Sequence, residues 1–167
     1  MKSKHKGFTL VELIVVIAII GILAAILIPS LMGYVKKSKL RTANFNAKNA
    51  FSALNNAATD LSCEGHISVI IPHGPIAVKA LSEGDELENA VKIALGDNGI
   101  KSGYVCWDIS SAKKIICAQW AEVMDSETIV GQFPNPAENA DVATVQLGTL
   151  LNSTSWNDDD RPDLDRT

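Results

Sequence analysis

The side chain that raises a chemical question first is Glu12. It stands near the start of KGFTLVELIVVIAIIGILAAILIP, residues 6–29, and from Phe8 to Val35 no other side chain is charged at neutral pH. A carboxylate near mid-bilayer costs about 2.5–3.5 kcal/mol on insertion scales. Such a charge is tolerable when paired and very costly alone. A partner would arise if a protease cut between Gly7 and Phe8. In the uncut chain that nitrogen is a neutral amide; after the cut it is a cation four residues before Glu12. The amine could belong to the same chain or to a neighbour packed beside it.

The remaining chemistry is sparse. Cys63, Cys106 and Cys117 allow one disulfide and leave one thiol over. Cys63 and His66 have a C-x-x-H spacing, with His73 further on, but without a second cysteine pair this is a weak zinc signal. Asp158, Asp159, Asp160, Asp163 and Asp165 offer oxygen ligands, yet the glycine turn and closing glutamate of an EF-hand loop are missing. A solvated acidic tail is the plainer reading. There is no G-x-S-x-G, phosphate loop or metalloprotease helix. Neither catalysis nor a cofactor is expected.

The elements that would carry Glu12 are set by composition. The 167 residues leave room for one ordinary domain and an anchor. Leu13–Ile28 is an unbroken run of sixteen apolar or glycine residues. As a helix, residues 8–35 would measure about 42 Å, enough to cross a ~30 Å hydrocarbon core. An uncleaved signal anchor would look like this. A secretory signal peptide fits poorly, because the run is too long, contains a glutamate and lacks a small-x-small cleavage site. Leu, Ile and Val cover every face, as a membrane or a bundle core requires. Ala18, Gly21, Ala24 and Ala25 offer small surfaces for close backbone approach, and Pro29 removes a donor and loosens the helix.

Charge is segregated along the chain. The leader holds Lys2, Lys4 and Lys6 without an acid, and residues 36–48 hold five basic residues without an acid. Residues 62–167 carry seven Lys or Arg against seventeen Asp or Glu, a net of −10, which argues against nucleic acid as a partner.

KGFTLVELIVVIAIIGILAAILIP strongly resembles the class III signal of type IV pilins and the related type II secretion pseudopilins, over roughly residues 1–36. The resemblance implies a leader cut after Gly7 by the membrane-embedded prepilin peptidase and N-methylation of Phe8, which keeps its charge. It makes Glu12 the assembly glutamate and Gly21 and Pro29 helix-weakening positions, between which helical structure is lost in the filament. It implies a single-pass protein of the cytoplasmic membrane, head outside, that passes through the pilus assembly machinery into a surface fibre of its own copies. The flanking charges barely decide that orientation, with three lysines before the span and four basic residues just after it. Adhesion, motility or DNA uptake would be the fibre's work. The alternatives are a secretion pseudopilin, some of which bind calcium in head loops such as the Asp158–Asp165 stretch would form, a minor tip pilin, and an anchored binding domain that never polymerises.

The expected fold is α+β and pilin-like, a long N-terminal helix packed on a small antiparallel sheet. Its segments are a leader over 1–7, a membrane or filament-core helix over 8–35, an amphipathic continuation over 36–61, and a head with an acidic tail over 62–167. Leu40, Ala43, Ala47, Ala50, Phe51, Leu54, Ala57, Ala58 and Leu61 mark the buried stripe of the continuation. In the head, ISVIIPHGP reads as a β-prone segment stopped by Pro72, Gly74 and Pro75, residues 76–95 have helical spacing, and FPNPAEN is a loop. GYVCWDISSAKKIICAQW reads as a hairpin. Centring its turn between Ser111 and Ala112 sets Cys106 opposite Cys117, within disulfide range. A bridge using Cys63, or three free thiols, are the other outcomes.

Overall fold

The computed structural model describes residues 8–149 and Leu151. The chain divides into two compact units, one ending at Lys36 and the other beginning at Lys37. A single helix, α1 (Leu10–Cys63), contributes to both.

In the first unit α1 has no core to face. From Phe8 to Lys36 no residue is buried, and the aliphatic side chains point outward on all sides. Gly21 has open space where a Cβ would stand, and the helix runs on through Pro29. Among the described residues α1 is the one helix long and apolar enough to cross a membrane.

In the second unit the same helix becomes amphipathic, as the three- and four-residue spacing predicts. Leu40, Ala43, Ala47, Ala50, Leu54, Ala58 and Leu61 are buried. After Cys63 come a short 3₁₀ turn at Ile67–Val69, strand β1 (His73–Ala77), a second 3₁₀ turn at Val78–Ala80 and helix α2 (Glu86–Asp97). Four more strands follow: β2 (Tyr104–Ile109), β3 (Ile115–Ala121), β4 (Thr128–Phe133) and β5 (Thr144–Val145). The five strands form an antiparallel sheet in chain order. The α+β, pilin-like architecture is therefore observed.

Alternation along β2 and β3 builds two cores. Val105, Trp107, Ala118 and Trp120 join the α1 stripe and Leu87, Val91 and Leu95 of α2. Cys106, Ala121 and Val130 face the other way and are covered by Ala137, Ala140, Ala143, Leu147 and Leu151. Two glutamines on that second face hold the covering segment. Gln119 Nε2 donates to Thr149 O at 2.7 Å, and its Oε1 accepts from Gly148 N at 2.9 Å. Gln132 Nε2 donates to Leu151 O at 2.9 Å, and its Oε1 accepts from Leu151 N at 2.9 Å. A Gln119–Gln132 bond of 2.9 Å joins them.

Three local readings are corrected. The strand lies over His73–Ala77, at the Pro-Gly end of the β-prone stretch, and not over the ISVII stretch. It is an edge strand whose pairing slips between His73 and Ile76, the setting in which Pro75 is tolerated. Helix α2 begins only at Glu86, because the Asp85 side chain accepts from Leu87 N and Glu88 N and caps it there.

The third correction concerns the hairpin. Cys106 pairs with Gln119 and Cys117 with Asp108, so the two cysteines are diagonal, not opposed, and all three thiols are free. The shift has a physical cause. Ser110 N donates to Lys114 O, Lys113 takes a left-handed φ of 60°, and the pairing slips between Asp108 and Ile109. This is a three-residue loop with its attendant bulge. Diagonal neighbours lie about 7–8 Å apart, beyond the reach of a disulfide.

Candidate assembly site

The start of α1 is built by Thr9 and Glu12. Thr9 N donates to Glu12 Oε2 at 2.9 Å, and Glu12 N donates to Thr9 Oγ1 at 3.2 Å. Each side chain thus satisfies the other's backbone donor, the reciprocal arrangement of a capping box. The Thr9 hydroxyl also donates to Oε2 at 2.7 Å. All the bonds to Glu12 fall on that one oxygen, and Oε1 makes none among the described residues.

The carboxylate therefore has two tasks available to it. Oε2 ends the helix by meeting donors that would otherwise be orphaned in an apolar medium. Oε1 has no hydrogen-bond partner among the described residues and can accept from a cation brought by another chain. Phe8, whose nitrogen would be that cation, is 82% exposed one residue before the cap. Thr9 is the site residue that the pairing argument missed. Its signal was present as T-x-x-E ahead of an apolar run.

The other residues singled out do not gather here. Gly7 lies outside the described residues, as does the Asp158–Asp165 cluster. Gly21 and Pro29 sit further along α1. Cys63 is exposed, His66 Nδ1 stands 3.6 Å from Glu64, and His73 Nε2 stands 3.3 Å from Glu88. Among the described residues no group of three His, Cys, Asp or Glu side chains could hold a metal ion.

In the head, burial pushes the Cys106 thiol well above its ordinary value, with Cys117 and Asp108 adding to the effect. Burial, with Asp108 nearby, likewise pushes Cys117 up to about 12. Both are protonated and inert at neutral pH, unlike activated nucleophilic thiols.

Residues 2–28 match the family described as the prokaryotic N-terminal methylation motif. A fimbrial protein of Dichelobacter nodosus is 36% identical over 120 residues, which cover 69% of this chain and 75% of that protein. The type IV major fimbrial protein FimA of the same organism is 60% identical over 40 residues, covering 24% of this chain and 26% of FimA. The type IV major pilin protein PilA of Myxococcus xanthus (strain DK1622) is 48% identical over 50 residues, 30% of this chain and 23% of PilA. No solved structure matches.

Proposed function

Because the chain belongs to the family of type IV pilins, the type IV fimbrial proteins, we propose that it is cut between Gly7 and Phe8, methylated on the Phe8 nitrogen and polymerised through α1 into a surface fibre. Its family is structural, not catalytic. Before assembly, residues 8–35 hold the chain in the cytoplasmic membrane with the head outside. Prepilin peptidase and the pilus assembly machinery are the partners for processing and extension, and other copies of the chain are the partners in the fibre.

The first unit of α1 carries this reading. It is apolar on every face and has no buried residue. Its only charged side chain up to Val35 caps the helix with one oxygen and leaves the other without a hydrogen bond among the described residues. In lipid such a surface is solvated; outside lipid it must be covered by like helices. An amine on Phe8 of an incoming copy would meet the open oxygen and offset the charge. The fimbrial and pilin names of the relatives favour a surface fibre over a secretion pseudopilus.

Intact-mass and N-terminal analysis of native fibres tests the processing. The expected subunit starts at Phe8 and is one methyl group heavier than the bare sequence. Fibres whose subunits still begin at Met1 would overturn it.

A further inference from the structure

We propose that the head carries both halves of a head-to-tail contact between copies of this chain, in which a cleft beside residues 38–46 receives the aliphatic strip Ile67–Ile71 of the next copy. The inference rests on the fibre reading above and names a surface for it away from Glu12. The cleft has a volume of about 560 Å³, the size of sites that bury a ligand-sized group. It is formed by Ser38–Asn46 of α1, the loop between α2 and β2, the end of β3 and the start of β4. Trp120 is part of its lining, and the indole Nε1 is buried without a hydrogen-bond partner. Lys101 and Glu127 stand at its sides, while Lys39 and Glu122 are already paired with each other at 2.9 Å.

The strip lies at the other end of the head. Ile67, Val69 and Ile71 follow the last residue of α1 and are about half exposed, at 47%, 50% and 48%. No charge interrupts residues 67–71. Glu64 precedes them, and Lys113 Nζ donates to Ile70 O at 3.0 Å. Strip and cleft thus carry charges that can be matched, Glu64 with Lys101 and Lys113 with Glu127. Complementary potentials of this kind fix register and exclude like-charge alternatives.

Their separation decides what such a contact builds. From Thr42 to Cys63 the helix rises ~32 Å, so the strip of one chain cannot fill its own cleft. Two different patches at opposite ends make a heterologous contact, which propagates as an open polymer unless a rotation closes it. That is the geometry a fibre needs.

Native fibres treated with a zero-length carbodiimide and digested provide the test. A Lys101–Glu64 linked peptide is expected, and it must come from two chains because the two residues lie too far apart in one. Links between subunits elsewhere, with none joining 99–102 to 64–71, would overturn the seating. So would Lys101 that acetylates equally in fibres and in detergent-held subunits, since the cleft would then stand open to a ligand from solution. Val69→Lys changes an exposed side chain and is expected to lower fibre yield tenfold or more without changing the head's unfolding. Wild-type yield would overturn the proposal. Failure of the wild-type chain to form fibres at all would instead remove the reading on which it rests.

Discussion

Cys117 ties the stability of the head to pH. In the unfolded chain a thiol loses its proton near pH 8.5, whereas burial and Asp108 hold it on Cys117 to about 12. Between those values the unfolded state binds fewer protons, so stability is intact below pH 8.5 and falls as pH rises through the window. The slope is at most about 1.4 kcal/mol per pH unit for one thiol. Urea unfolding at pH 8, 9 and 10 should show a steeper loss for the wild-type chain than for Cys117→Ala, despite the latter's lower stability at pH 8. Parallel lines would show that the thiol titrates normally when folded. Residues of this kind were half legible. The sequence places the cysteines on a hairpin, but whether they oppose one another depends on a loop whose left-handed position is filled by Lys113 and not glycine. Glu12 was legible from its isolation among apolar neighbours. Thr9 was less legible, because its hydroxyl is a neutral partner that leaves no mark on the charge pattern.

Elements were legible where one face is buried and obscure where both are. The stripe on α1 has helical spacing because only one side meets the sheet. Strand β4 carries Thr128, Gly131 and Gln132, which give no apolar alternation, and yet one side meets α1 while the other holds the C-terminal segment. Gly131 is the contact that fixes how closely helix and sheet approach. A Cβ there would overlap the backbone of Ala43 and Asn44, which, unlike a side chain, has no other rotamer to adopt. Overpacking a core commonly costs 1–3 kcal/mol, and a clash with backbone belongs at the upper end. Gly131→Ala should therefore lower stability by about 3 kcal/mol or more, measured by thermal unfolding of the detergent-solubilised chain. The neighbouring Val130→Ala should cost less, since it leaves a space without forcing the layers apart. An unchanged midpoint for Gly131→Ala would mean that α1 does not rest on β4 at this point.

At the scale of the whole molecule, the proposed function would have one carboxylate serve a membrane protein and then a fibre. In a membrane Glu12 would be a burden that its capping bonds reduce; in a bundle its second oxygen would receive a neighbour's amine. Replacing it with valine should ease insertion, because an apolar residue takes the place of a charge. Assembly should suffer, because the Phe8 amine is left without its partner among packed helices. Losing one member of a buried pair costs about 3–5 kcal/mol, or about a hundredfold to a few thousandfold in the equilibrium for adding each subunit. Glu12→Val is thus expected to be made, cut after Gly7 and retained in the membrane, while fibre yield falls at least a hundredfold. The capping box supplies the control, since Glu12→Val also loses the bonds to Thr9. Thr9→Val removes the hydroxyl and leaves the carboxylate, at a cost of about 1 kcal/mol typical of a lost cap. If fraying of the helix start were the cause, both variants would fail alike. If pairing is the cause, Thr9→Val keeps most of its fibres and Glu12→Val does not. Normal fibre yield from Glu12→Val, with no wild-type chain present, would end the pairing argument.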